Sequence, residues 1–294
     1  MKLSTVVLPS ERWPENRAKW LRAEELGFHA AYTYDHLSWR SFREKTWMSM
    51  VPLLAAVSEA TSTVRLGPLV TSPNFRHPLL LAKDLITLDD VSDGRLTIGV
   101  GAGGRGFDAE VFGEEPWTNR ERHERFVEFT TVLDTLLREN GSTIDGAFYP
   151  VVDSRQIPGP VQQPRPPLLV SALGPKSISF AAQIGDGWIC VGGLVESNLT
   201  TEEVVREQST RLDSELVNRG RGDDAFQRLF LDGFNDESPL TSFDSFVDWA
   251  GRYHALGFTE LVIHFPVPDS PFDVNQSLFE RIATEGREAI VAWH

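Results

Sequence analysis

Asp35, His36 and Trp39 fall within five positions of one another in Tyr32-Thr33-Tyr34-Asp35-His36-Leu37-Ser38-Trp39. An imidazole there can give a proton to, or take one from, a reacting carbonyl or a reduced ring. The Asp35 carboxylate can bond a ligand amide or orient His36. The competing reading makes Asp35 a turn cap, His36 a satisfied rim residue and Trp39 part of the core. In Gly67-Pro68-Leu69-Val70-Thr71-Ser72-Pro73-Asn74-Phe75-Arg76-His77-Pro78, an apolar run stops in small polar residues and prolines. Such a bend can press main-chain groups against a flat ligand or be an ordinary loop, and Arg76 can serve an anion or a surface pair.

Glycines and a lysine supply two more places. Gly99, Gly101 and Gly104 in Gly99-Val100-Gly101-Ala102-Gly103-Gly104-Arg105-Gly106 match G-x-G-x-x-G. A dinucleotide fold wants an acid ending a strand about twenty residues on, and here Glu121 to Glu124 fall inside a helical pattern. The glycines read better as bare backbone for a ligand to lie against. Ser171-Ala172-Leu173-Gly174-Pro175-Lys176-Ser177 opens a helix, where free amides, the helix dipole and the Lys176 ammonium suit a phosphate. A simple capped helix start is the alternative.

Other chemistries lack their residues. The seven histidines (29, 36, 77, 123, 254, 264 and 294) form no H-x-H or H-E-x-x-H pair, so no metal is expected. Neither G-x-S-x-G nor G-x-x-x-x-G-K-[ST] occurs. Cys190, the single cysteine, excludes an intrachain disulfide, reads as a core residue and fits a reducing compartment, with the cytoplasm the default. Twenty-eight basic against 42 acidic residues give a net charge of −14, which argues against nucleic-acid or anionic-membrane partners. The start Met1 to Leu8 runs into Pro9 with no long apolar region, so it reads as a strand and not as a signal peptide or membrane span.

The elements that must hold these residues follow a βα period. Strands are expected at Leu3 to Leu8, His29 to Thr33, Val64 to Val70, Leu96 to Val100, Leu168 to Ser171, Gly187 to Val191, Gln227 to Leu231 and Glu260 to His264. Helices are expected at Pro14 to Leu26, Thr46 to Ala60, Arg76 to Leu88, Asn119 to Arg138 with an Asn cap, Lys176 to Ile184, Thr201 to Arg219, Ser242 to Leu256 and Gln276 to Ala292. Eight strands, each followed by a helix, predict a (β/α)₈ TIM barrel spanning 1–294 as one domain. Gly141 to Pro167, with six prolines, reads as an inserted hairpin and arm after the fourth helix, and Val191 to Thr200 as a second irregular stretch. Ligands in such barrels bind at the carboxyl ends of the strands, which are the four places above.

Taken together, these segments resemble a known family. Ala23-Glu24-Glu25-Leu26-Gly27-Phe28 before Asp35-His36, Arg65-Leu66-Gly67 through Thr71 to Pro78, Leu88 to Arg95 leading into Gly99 to Gly103, Pro166 to Val170, and Ala181 to Trp188 are similar to the bacterial-luciferase-like superfamily over nearly the whole chain. The resemblance implies a (β/α)₈ barrel, usually a homodimer, holding FMN or the deazaflavin F420 at its mouth. By that resemblance the ring rests on a bulge formed by Leu69, Val70 and Thr71, with a non-prolyl cis peptide near Leu69-Val70. Asp35 and His36 match the pair that faces the ring in deazaflavin members. Gly101, Ala102 and Gly103 line it, and Ser171, Ala172, Leu173, Gly174, Pro175 and Lys176 match the phosphate region.

The Asp-His pair and the Asn-Phe-Arg-His-Pro turn look more like the F420-dependent branch than luciferase itself. This implies hydride transfer between F420 and a small organic substrate, with His36 as proton donor or acceptor and Trp39 walling the pocket. An FMN-dependent monooxygenase using reduced flavin and oxygen is the alternative, with a ring-binding protein without turnover and a nicotinamide dehydrogenase behind it. Sugar-phosphate dehydrogenases of this branch carry a glutamate directly after the fourth-strand glycines, where this chain has Gly104. Asp108 or Glu110 can stand in for it or cap the next turn. Ser10, Trp13, Phe234 and Asn235 lie on the loops that shape the substrate, which the sequence does not name.

Overall fold

The computed structural model describes residues 1–193, 199–222 and 226–293, with the side chain of Phe107 left out. Residues 194–198 of the irregular stretch after the sixth expected strand, and His294, lie outside the described residues. The chain alternates strands and helices from its first residues: β1 (Lys2–Val6), α1 (Trp13–Glu25), β2 (Ala30–Thr33), α2 (Met50–Ala60), β3 (Arg65–Pro68), α3 (Pro78–Val91), β4 (Ile98–Val100) and α4 (Asn119–Arg138). A hairpin, β5 (Ser142–Ile144) and β6 (Val151–Ser154), interrupts the alternation. It resumes with β7 (Leu168–Ser171), α5 (Pro175–Ile184), β8 (Gly187–Cys190), α6 (Thr201–Asn218), β9 (Gln227–Leu231), α7 (Phe243–Ala255), β10 (Glu260–His264), α8 (Gln276–Arg281) and α9 (Arg287–Val291).

The eight-stranded sheet runs β3-β2-β1-β10-β9-β8-β7-β4, and parallel bridges Leu66↔Leu96 and Thr71↔Val100 join its two ends. Registers are parallel throughout, as in Thr5↔Ala31, Leu3↔Leu261 and Leu169↔Gly187. This is the (β/α)₈ barrel that the sequence period predicts.

Several boundaries differ from expectation for local reasons. The third strand stops at Pro68, which has no N–H to give the ladder, and the next bond but one, Leu69-Val70, is cis as the resemblance implies. The fourth helix is capped by Thr118, whose hydroxyl accepts from Glu121 N at 3.2 Å, so Asn119 is its first residue and not its cap. The expected helix to Ala292 is broken by a π-helical turn at Ile282–Gly286, where a Cβ on Gly286 would stand 2.9 Å from the Phe246 ring.

The chain divides into two compact units, 1–8 with 18–32 and 169–294, and 9–17 with 33–168. In the first unit Phe230 meets Tyr253 at 4.0 Å and Phe258 at 5.5 Å, and Trp188 and Trp249 are fully buried. In the second, the α4 stripe of Phe126, Phe129, Leu133 and Leu137 is buried, each large side chain contributing about 1.5–3 kcal/mol. The inserted arm is held within that unit: Gln162 gives two hydrogen bonds to Asp89 at 2.7 and 2.9 Å, and Arg165 pairs with Asp134. No helix among the described residues is long and apolar enough to cross a membrane.

Gly67 sets how closely β3 approaches its neighbour, because a Cβ there would lie 1.7 Å from the Thr97 carbonyl oxygen. Gly67→Ala is expected to cost at least about 3 kcal/mol in denaturant unfolding. Gly222→Ala, which meets open space, should stay within about 0.5 kcal/mol.

Candidate active site

Where β2 ends, the carboxylate of Asp35 is 1% exposed and accepts three hydrogen bonds. The Thr71 hydroxyl donates at 2.7 Å, and Arg76 donates from Nε at 3.0 Å and from Nη2 at 2.7 Å. Such a two-pronged pair is the strong form of the interaction and satisfies a charge that could not be buried alone. Burial alone would pull the Arg76 guanidinium down, yet the hydrogen bonds and charge of Asp35, with the charge of Asp84, hold it above its ordinary value. Asp84, on α3, is pushed up by burial against the opposing pull of Arg76. Two sequence readings are thereby corrected. Asp35 neither caps the next turn nor orients His36, and Arg76 is no surface pair.

His36 takes its partner from elsewhere. Its Nδ1 lies 2.5 Å from Asp108 Oδ2, and the other oxygen of Asp108 accepts from the backbone N–H groups of Leu37 at 2.9 Å and Ser38 at 3.4 Å. A carboxylate against Nδ1 calls for an N–H on that nitrogen, so in the neutral ring Nε2 is the one that carries the lone pair. Nε2 has no hydrogen-bond partner among the described residues, and the side chain is 29% exposed. Trp39 stacks on the imidazole at 6.2 Å and packs on Tyr34, Phe42 and Trp47, while Trp47 Nε1 donates to the His36 carbonyl at 2.9 Å. Trp39 is buried, so it belongs to the core and stands beside His36 at once. Asp108 sits on a short 3-10 turn, Phe107–Ala109, and is buried, whereas Glu110 is exposed.

In the same unit the backbone around the cis bond is fixed. Thr71 N donates to Gly99 O and Gly101 N donates to Thr71 O, both at 2.9 Å, and Leu69 N donates to Thr33 O at 2.8 Å. Leu69, Thr71 and Gly101 are buried, whereas Val70, Ala102 and Gly103 are half-buried. Gly103 has φ +71°, and a Cβ on it would lie 2.5 Å from Asn74 Oδ1. Asn74 donates to Gly104 O at 3.1 Å, but its Oδ1 is buried without a partner, as is the Thr33 hydroxyl. Buried polar atoms left over in this way are a polar complement awaiting a ligand or water. No α-helix begins within the glycine run, since only the 3-10 turn precedes α4, so the G-x-G-x-x-G match lacks its helix N-terminus.

The other unit holds the start of α5. Ser171, Leu173 and Gly174 are half-buried, Ala172 is buried, and Pro175 and Lys176 are exposed. Ser177 Oγ donates to Gly174 O at 2.9 Å and accepts from Gly174 N at 3.2 Å. The N–H groups of Lys176 and Ser177 precede the first intrahelical bond, Ile178 N to Gly174 O at 2.9 Å. Cys190 is buried as expected, and desolvation pushes its thiol up to about 12.

Sequence reasoning missed two groups in this unit that end β9 and β10. Asp232 is 8% exposed, and burial pushes it up to about 7 against the pull of the Gly233 N–H, with Glu237 adding to the rise. His264 is stacked on Phe272 at 3.7 Å, and burial pushes it down to about 3. The signal was available, because both stand at strand ends.

A parallel (β/α)₈ barrel with its polar side chains gathered after the strands is a fold of ligand-binding and enzyme proteins. The comparisons narrow this further. The family model described as luciferase-like monooxygenase matches residues 2–229, and the chain belongs to that family. It is 34% identical over 174 residues to an F420-dependent glucose-6-phosphate dehydrogenase of Beutenbergia cavernae, covering 58% of this chain and 50% of that protein. Against an F420-dependent hydroxymycolic acid dehydrogenase of Mycobacterium tuberculosis it is 31% identical over 189 residues, covering 63% and 51%. The chain thus spans about half the length of these curated relatives. Among solved structures, an F420-dependent secondary alcohol dehydrogenase in complex with an F420-acetone adduct superposes with a TM-score of 0.81 at 18% identity, covering 98% of both chains, which shows the fold.

Removing Arg76 strands a buried carboxylate, so Arg76→Ala is expected to lose about 3–5 kcal/mol of unfolding free energy in urea. A loss under about 1 kcal/mol would mean that the pair behaves as a surface one. Asp232 makes a pH-dependent prediction. Near pH 3 both states hold its proton, but as pH rises toward 7 the unfolded chain ionises first, near its ordinary 3.8, and the folded state loses stability. Asp232→Asn has no such proton, so its thermal midpoint relative to wild type should climb between pH 4 and 8, by an equivalent of roughly 2–4 kcal/mol.

Proposed function

We propose that this chain is an F420-dependent oxidoreductase acting on a small organic substrate, with His36 as its acid-base group. The observation that carries the reading is the imidazole whose Nδ1 is held by Asp108 while Nε2 stays free. The residues present fit a flat cofactor. Buried Thr33 Oγ1 and Asn74 Oδ1 have no protein partner, and Val70, Ala102 and Gly103 are half-buried, with Gly103 bare of a side chain. In this reading Leu69, Val70, Thr71, Gly101, Ala102 and Gly103 hold the ring. Taken within its own unit, the start of α5, with the free amides of Lys176 and Ser177 and the Lys176 ammonium, suits an anionic group.

When bound, the deazaflavin supplies a ring carbon that accepts or delivers a hydride. The chain's own part is proton transfer and positioning. In the oxidative direction His36 Nε2 takes the proton of a substrate hydroxyl, and the Asp108 carboxylate stabilises the imidazolium that results. In the reductive direction the same nitrogen returns it. Asp35 is a positioning residue here, since its oxygens hold Thr71 and Arg76. The relatives' names that begin with F420 support the cofactor, and the missing acid at Gly104 speaks against carrying over their sugar-phosphate substrate.

Titration of the purified protein with oxidised F420, followed by fluorescence, should show a micromolar-range site, with FMN binding far more weakly. A tight site for FMN alone overturns the cofactor assignment. Once a substrate is in hand, His36→Ala should lower kcat by about 10²–10⁴ with F420 affinity retained. Asp108→Asn should lower kcat less and displace the pH profile, which a purely structural role would leave in place.

A further inference from the structure

A cavity of about 220 Å³ lies within the second unit, between the last turn of α4 and the inserted arm. A helix returns antiparallel to the strand it follows, so this end of α4 lies at the amino end of β4, away from the carboxyl end that leads to Asp108. The last carbonyls of a helix point along its axis, past the end of its own N–H supply, and carry the negative pole of its dipole. Those of Leu136, Leu137 and Arg138 accept no hydrogen bond among the described residues, and all three residues line the cavity. Arg138, the basic residue of that turn, is directed elsewhere: its Nε bonds both oxygens of Asp134 at 3.0 Å, one turn back along the helix.

The arm adds acceptors on its side. Pro158, Pro160 and Pro164 bring carbonyls without N–H groups. Two donors beside them are already engaged, Gln156 N on Asn140 Oδ1 and Gln163 Nε2 on Pro160 O, both at 2.9 Å. Gln156 is 3% exposed, and its Nε2 donates to Ser154 Oγ at 2.9 Å, which fixes the amide and leaves Oε1 without a partner. That oxygen lies beyond a ligand's reach but adds its partial negative charge to the surroundings. Glu139, exposed at the rim, has no ion-pair partner among the described residues. The arm also shows which group its carbonyls accept: the Lys83 ammonium, from α3, donates to Arg155 O at 2.9 Å and to Ile157 O at 3.2 Å.

An anion at this place would meet carbonyl oxygens and a carboxylate, and a neutral hydroxyl would gain nothing from the helix pole. A primary ammonium supplies three donors and a positive charge on one atom. We propose that the cavity binds a primary alkylammonium, its N–H groups on the carbonyls that end α4 and its short carbon chain against Ile157, Pro158 and Pro160. A volume below the drug-sized range suits such a ligand, and the net charge of −14 draws cations to the surface. The ammonium can arrive on a small free amine or on the lysine side chain of another protein. The site is independent of the oxidoreductase reading.

The test is ligand-observed NMR on the full chain at low salt and neutral pH. Pentylammonium stands for the free amine and Nα-acetyl-lysine methylamide for the side chain, with pentanol and trimethylpentylammonium as controls. The better amine should bind at least about tenfold more tightly than pentanol, which lacks the charge, and about fivefold more tightly than the trimethyl compound, which lacks the donors. Whichever amine binds more tightly identifies the source. Gln163→Lys brings an ammonium of the chain's own to the cavity and Glu139→Lys reverses the rim charge, so each should weaken that amine by about fivefold or more. Glu124→Lys, an equal change of charge nearer the other end of α4, should stay within about twofold. All three positions are exposed, and near-UV circular dichroism checks folding. Binding of neither amine, a control that binds as tightly as both, or indifference to Gln163→Lys and Glu139→Lys overturns the proposal. Equal weakening by Glu124→Lys overturns it too, because the effect would then belong to net charge alone.

Discussion

A carboxylate almost wholly removed from water must be paired, and the pairing of Asp35 organises the region around His36. Its oxygens draw in the Thr71 hydroxyl and the Arg76 guanidinium, one at the end of the third barrel strand and the other just before α3. Because the pair is buried, its geometry is enforced by the cost of leaving either charge uncompensated. Thr71 is in turn locked to the fourth strand through Gly99 and Gly101. Three strand ends therefore share one electrostatic anchor, and the cis bond at Leu69-Val70 lies between them.

His36 is held by a second, separate carboxylate. Asp108 binds its Nδ1 and also gathers the N–H groups of Leu37 and Ser38, so one side chain fixes both the imidazole and the turn that carries it. The division of labour between the two aspartates follows from where each lies: one is consumed by a guanidinium, the other is presented with an imidazole and two amides. The first sets backbone, the second sets a tautomer. The aromatic packing of Trp39 and Trp47 then limits how the ring can turn.

Much of the barrel was legible because period is a local property. Apolar runs of four to seven residues separated by amphipathic helices fixed the number and order of the strands, and the spans Gln227–Leu231 and Glu260–His264 are reproduced at both ends. The inserted hairpin was legible too, from prolines that no crossover helix tolerates. Boundaries that failed did so where a neighbour intervened: Thr118 against Asn119 as cap, and the π-helical turn packed against Phe246.

The sequence by itself determined the strand-helix alternation, the placement of polar residues after strands, and the presence of a family's motif set, because each is written in consecutive residues. Only the tertiary structure decided who pairs with whom. Asp35 stands next to His36 in the chain yet bonds Arg76, while Asp108, seventy-two residues away, holds the imidazole. Asp232 became visible as a buried, half-bonded acid only once β9 and the turns around it had closed over it. Adjacency along a chain says nothing about which oxygen is left without a partner, since desolvation and hydrogen bonding are set by the surroundings that folding assembles.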